Sequence, residues 1–133
     1  MILVDSSVWV DFFNGSEKRA VHALEDFIEA EEELCLSDII VTEVLQGFKK
    51  NGDFESAGRH LRLFPIYSLQ GLDSYIEAAQ IYRKCRQRGI TIRKTIDCMI
   101  AQTAIENGLT LLHDDADFDR IASIFPLKIL LLQ

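Results

Sequence analysis

Little in this 133-residue chain breaks a backbone: it has only two prolines and seven glycines, which excludes collagen-like and low-complexity architectures. Cysteine is scarce as well. Cys35, Cys85 and Cys98 are widely spaced and form no C-x-x-C pair. A disulfide framework or a zinc site is therefore not expected, and the thiols are read as reduced side chains. No run approaches the roughly 18 apolar residues of a membrane span. Met1 is followed by Ile-Leu-Val-Asp, without a basic leader or a small-residue cleavage site, so a cytoplasmic location is expected. Positive charge is in deficit too. Fourteen Lys and Arg face 21 Asp and Glu, a formal charge of −7. Attachment to nucleic acid by overall charge is thereby excluded, though a local basic face is not.

What the chain does have is 48% hydrophobic residues arranged in two rhythms. Ile2–Asp5, Leu34–Leu36, Ile66–Leu69, Thr110–Leu112 and Leu127–Leu131 are short aliphatic runs of the kind buried on both faces of a parallel sheet. Between them, apolar residues recur three and four apart: Leu72, Tyr75, Ile76 and Ala79; Ile96, Ile100, Thr103 and Ala104; Val41, Val44, Leu45 and Phe48. Ser37 is a predicted N-cap for a helix over Asp38–Lys50, Gly89 closes Leu72–Arg88, and Asn107-Gly108 closes Ile96–Glu106. The order β-α-α-β-α-α-β-α-α-β-α-β predicts one domain over residues 1–133. Its expected form is a three-layer α/β/α sandwich around a mainly parallel sheet of about five strands. In such sheets ligands bind beyond the carboxyl ends of the strands.

Acids fall where that rule points. Asp5 closes the first run; Glu43 and Asp97 lie near the starts of helices; His113-Asp114-Asp115-Ala116-Asp117-Phe118-Asp119 follows Leu112 directly. Each has an ordinary alternative: an N-cap for Asp5, a solvated position for Glu43, a favourable helix-dipole contact for Asp97, a solvated loop for the run. Gathered into one crevice, however, these carboxylates would repel and raise one another's pKa values unless a cation neutralised them. All-oxygen donors suit hard divalent ions. Six cations, Arg83, Lys84, Arg86, Arg88, Arg93 and Lys94, crowd into twelve residues without an acid. Helix-dipole compensation accounts for part of that run; Arg93 and Lys94, beyond Gly89, fit a lip for a phosphodiester backbone.

Four segments taken in order, Ile2-Leu3-Val4-Asp5-Ser6-Ser7-Val8-Trp9, Thr42–Gly47, Asp97–Ala104 and Leu112–Phe118, resemble the acidic motifs of PIN-domain proteins. More narrowly they resemble VapC-type toxins of toxin–antitoxin pairs. The resemblance implies an endoribonuclease dependent on Mg²⁺ (Mn²⁺ as substitute) that cuts structured RNA such as tRNA or rRNA and leaves 5′-phosphate and 3′-hydroxyl ends. It also implies a cognate antitoxin and a homodimer. By resemblance, Asp5, Asp97 and Asp115 hold the metal, Glu43 binds metal or orients the attacking water, and Ser6 and Asp117 support them. Arg83, Arg86, Arg93 and Lys94 are the expected RNA contacts. His113 stands where the family commonly has Ser or Thr, and is read as a strand-end residue without chemistry. Apolar faces Ile39/Ile40/Val44 and Leu72/Tyr75/Ile76/Tyr82 suggest the dimer seam. Two other readings are a catalytically idle PIN-like interaction module and a receiver-like phosphotransfer domain. The second would want an acid pair after the first strand and an Asp ending the third, where Ile66-Tyr67-Ser68-Leu69 offers none.

Overall fold

The computed structural model describes residues 1–132. Its elements run β1 (Ile2–Val4), α1 (Ser6–Phe13), α2 (Arg19–Glu29), β2 (Leu34–Ser37), α3 (Asp38–Leu45), α4 (Asn51–Leu61), β3 (Ile66–Tyr67), α5 (Leu72–Gln87), α6 (Thr95–Asn107), β4 (Thr110–Leu112), α7 (Ala116–Ala122) and β5 (Lys128–Ile129). The five strands form one sheet in the order β3-β2-β1-β4-β5. Every pairing is parallel, with Leu3 opposite Cys35 on one side and Leu111 on the other. The chain thus steps one way from β1 through β2 to β3, then crosses to β4 and β5 on the other side. That reversal opens a crevice between the carboxyl ends of β1 and β4, the position where open α/β sheets bind ligands.

The central strands are short and aliphatic because both of their faces are covered. Leu3, Val4, Leu36, Leu111 and Leu112 have no solvent contact. Beneath α1, Trp9 is fully buried among Phe12, Phe13, His60 and Phe64, at centroid distances of 5.5 to 5.9 Å. His60 is thus part of an aromatic cluster. The three cysteines are free and buried, and burial pushes the Cys35 and Cys98 thiols up to about 11 and about 12. No helix among the described residues is long and apolar enough to cross a membrane.

Helix boundaries follow local chemistry. The Ser37 hydroxyl accepts the Ile40 N–H at 3.1 Å and starts α3. The predicted helix over Asp38–Lys50 ends early, at Leu45. Its last turn tightens through Phe48 N–H to Leu45 C=O at 3.2 Å, turning Phe48 onto Phe13 at 5.6 Å. Gly52 falls inside the next helix, α4, which begins at Asn51. Gly108 ends α6 at φ 63°, a left-handed conformation that costs glycine nothing. The expected dimer face Ile39/Ile40/Val44 needs correction: Ile40 and Val44 are core residues of the chain itself. Leu72, Tyr75 and Ile76, by contrast, remain exposed.

Leu111 lies in β4, between β1 and β5, and has no exposure, whereas Leu131 is 87% exposed. Leu111→Ala should lower unfolding stability by about 2–5 kcal/mol through lost contacts and a residual cavity. Leu131→Ala should stay within about 0.5 kcal/mol. Urea denaturation of both variants checks the contrast.

Candidate metal centre

One backbone hydrogen bond and two serine hydroxyls tie the acid-bearing segments together. Asp5 immediately follows β1, and its N–H donates to Leu112 C=O at 2.9 Å, so the end of β1 is tied to the end of β4. Asp5 also caps α1, as one of its alternative readings held: Oδ2 accepts the Ser7 N–H at 3.0 Å and the Ser7 hydroxyl at 2.6 Å. The same Ser7 hydroxyl accepts the Asp114 N–H at 3.0 Å, which joins the loop after β4 to the turn after β1. Nothing in the spacing of the sequence singled out Ser7, because its role depends on the β1–β4 pairing. Ser6, on α1, donates its hydroxyl to Glu43 Oε1 at 3.0 Å and so fastens α3 to the same crevice.

Asp97 is buried in the first turn of α6, with Lys94 Nζ 4.0 Å from Oδ1. Asp115 caps α7; its Oδ1 accepts the Asp117 N–H at 3.0 Å and Arg93 Nη2 at 2.9 Å. One oxygen each from Asp97, Asp115 and Asp117 lie within 4.8 Å of one another. Asp5 and Glu43 do not join that trio at this spacing, yet their charges reach Asp97.

The carboxylates are not equivalent. Burial raises the Asp5 carboxyl above its usual range, against the lowering hydrogen bonds from Ser7. Burial also raises Glu43, with Ser6 opposing and Asp5 adding repulsion. For Asp97, burial is the main cause of a rise to about 7; Asp5, Asp115 and Glu43 add to it while Lys94 opposes. Asp117 is the exception. Its burial alone would raise the carboxyl, but hydrogen bonds from Arg93 and Arg120 bring it below the ordinary value. Asp117 Oδ2 takes the Arg93 backbone N–H at 3.2 Å and Nε at 3.1 Å; Oδ1 takes Arg120 Nη1 at 2.6 Å.

Two buried oxygens, Asp5 Oδ1 and Asp97 Oδ2, have no hydrogen-bond donor among the described residues. An unpaired buried carboxylate oxygen is costly, and this pair belongs to a centre built from oxygen donors. The residues therefore fit a hard divalent cation. Asp117, with both oxygens already engaged, is a poor ligand despite its proximity.

His113 does more than end a strand. Its ring packs on Phe118 at 5.2 Å, Nδ1 accepts the Asp115 N–H at 3.0 Å, and Nε2 faces Asp119 Oδ1 at 3.2 Å. It thus helps hold the backbone that carries Asp115. Arg83 and Arg86 are engaged elsewhere: Arg83 Nη1 bonds Gln80 at 2.5 Å and Arg86 lies 5.5 Å over the Tyr82 ring. The glutamates of 29–33 precede β2, at the end of the sheet away from the acids.

A parallel five-stranded sheet with carboxylates gathered at its β1–β4 switch defines the class, an open α/β domain with an acidic ligand crevice. The PIN domain family model matches residues 2–124, and the chain belongs to that family. Within it, the chain is 33% identical over 129 residues to Ribonuclease VapC11 of Mycobacterium tuberculosis strain H37Rv, covering 96% of each protein. The match to VapC ribonuclease Mb1587 of Mycobacterium bovis has the same identity and coverage. Among solved structures, VapBC2 from Rickettsia felis bound to a promoter DNA fragment aligns with TM-score 0.76 at 21% identity, over 98% of both chains. Mycobacterium tuberculosis VapC20, described as a sarcin-ricin loop cleaving toxin, aligns with TM-score 0.70 at 16% identity, over 94% of this chain and 96% of that one.

The raised Asp97 carboxyl sets a pH dependence. Folded and without cation, Asp97 keeps its proton to about pH 7, whereas an ordinary aspartate loses it near 3.8. Between those values the folded state binds more protons than the unfolded state, so stability falls as pH rises through the window. Asp97→Asn should flatten this slope and raise the melting temperature above neutrality in chelator. Identical pH profiles for the two proteins in calorimetry would refute the assignment.

Proposed function

We propose that this protein is a metal-dependent endoribonuclease of the VapC type, hydrolysing phosphodiester bonds in structured RNA such as tRNA or rRNA. The observation that carries the reading is the pair of donorless buried oxygens, Asp5 Oδ1 at the end of β1 and Asp97 Oδ2 in the first turn of α6, near enough for the Asp5 charge to raise the Asp97 carboxyl. The VapC ribonuclease relatives support RNA as the substrate. Asp5, Asp97 and Asp115 would hold Mg²⁺, or Mn²⁺ in its place. When bound, such an ion lowers the pKa of a water, orients the scissile phosphate and stabilises its developing charge.

The chain's own residues perform the remaining work. Ser6 holds Glu43 by one oxygen, leaving the other to bind the ion or to orient the attacking water. Ser7 and His113 fix the backbone on either side of the crevice. Lys94, beside Asp97 and half exposed, is placed to meet an incoming phosphate. Water adds to phosphorus as the 3′-oxygen departs with a proton, leaving 5′-phosphate and 3′-hydroxyl ends. The structural neighbours include VapBC assemblies, which supports a cognate antitoxin as a partner. The exposed Leu72, Tyr75 and Ile76 supply an apolar face for a second copy of the chain.

Asp5→Asn and Asp97→Ala should each reduce RNA cleavage by at least about 100-fold, the scale expected when charge stabilisation at a reacting phosphate is lost. Chelator should do the same to the parent, with recovery on adding Mg²⁺. Undiminished cleavage in either variant, or in excess chelator, overturns the proposal.

A further inference from the structure

We propose that Arg93 and Arg120 form a phosphate clamp: two guanidinium groups fastened to the buried carboxylate of Asp117, whose free edges take a backbone phosphate neighbouring the one being cut. The inference rests on the nuclease reading above and adds where the strand is gripped.

Asp117 has no solvent contact. Its two oxygens receive Arg93 Nε and Arg120 Nη1 at 3.1 and 2.6 Å, and the Arg93 backbone N–H at 3.2 Å. A carboxylate buried this deeply fixes both guanidinium groups without consuming them. Arg93 spends one edge, Nε and Nη2, on Asp117 and Asp115. Arg120 spends Nη1 alone among its side-chain nitrogens on a described residue. Both side chains remain open, at 67% and 50% exposure. They line one open cleft of about 600 Å³ with Gly89, Ile90, Thr91 and Asp117.

Charge counting agrees with this use. Asp117 balances one of the two arginines, so the cleft keeps surplus positive charge once Asp115 is committed to a metal ion. Guanidinium forks suit phosphate oxygens, and anchoring them in advance removes much of the ordering cost of binding. The lysine-bearing cleft that shares Ser6 and Glu43 is the weaker candidate, because its Lys18 is already paired with both Asp11 and Asp114. Because Arg93 touches Asp115, the gripped phosphate lies next to the metal ligands rather than on a remote surface. Arg120 has no counterpart in the cationic run of 83–94, since the fold alone brings it there.

The test uses full-length protein carrying Asp5→Asn, in Mg²⁺, with a short mixed-sequence single-stranded RNA followed by fluorescence anisotropy across a salt series. Arg120→Gln should weaken binding about tenfold and reduce the slope of log affinity against log salt by about 0.7, one phosphate contact on a single strand. Arg120→Lys keeps the charge and the pairing to Asp117 but loses the fork, so it should retain the slope and lose part of the affinity. Lys128→Gln, at the amino end of β5 and away from the crevice, should move neither quantity. Melting temperatures establish that each variant is folded, and the lysine variant remains informative if the glutamine variant is not. Affinity equal to the parent in either folded Arg120 variant overturns the clamp while leaving the nuclease reading intact. Failure of the parent itself to bind RNA overturns both.

Discussion

Carboxylate oxygens in the β1–β4 crevice outnumber the donors that the fold supplies to them, and this imbalance governs the site. Asp5 and Asp97 each keep one buried oxygen without a donor, while Lys94 reaches Asp97 only at 4.0 Å. In a stable core such groups are paired or neutral. Here the surrounding framework holds them in place regardless: the Asp5 N–H is tied to β4, Ser7 bridges two loops, Ser6 pins Glu43, and His113 pins Asp115. Burial of these carboxylates, with a lesser repulsion among them, therefore disfavours their charged forms within an otherwise well-bonded structure. A divalent cation would relieve that cost at the end of the sheet where open α/β folds bind their ligands.

Much of the fold was legible because parallel strands buried on both faces leave a plain signature. Ile2–Val4, Leu34–Leu36 and Thr110–Leu112 are uninterrupted aliphatic runs, and the helices between them keep a helical period. Boundaries were harder where side-chain packing overrides propensity. Just past the end of α3, Phe48 turns onto Phe13 of α1, a contact between a turn and a distant helix that spacing cannot express. The Ile39/Ile40/Val44 stripe was misassigned to a dimer seam for a similar reason. An apolar face reads the same whether its cover is the chain's own core or another molecule, and here Ile40 and Val44 lie in the core.

At the site, residue types at strand ends revealed the acids, but the division of labour among them was hidden. Asp115 and Asp117 are two positions apart and identical in type. One caps α7 with a single oxygen; the other is closed off by Arg93 and Arg120. That difference depends on Arg93 arriving from the loop before α6, which only the tertiary structure reveals. The polar partners Ser7 and His113 were missed or undervalued on the same ground: their hydrogen bonds run across β1 and β4 or within the turn after β4.

A protein with a formal charge of −7 must concentrate its attraction for RNA rather than spread it. The glutamates of 29–33 lie at the amino end of β2, away from the crevice, so the acidic excess is partly segregated by the direction of the sheet. Near the crevice, Arg93 and Arg120 are held by a carboxylate that solvent does not reach. Burying the anion and exposing the cations turns a nominally balanced cluster into a surface that presents positive charge. Net charge therefore describes how the molecule behaves at a distance, while the depth of each charge decides what an approaching phosphate meets.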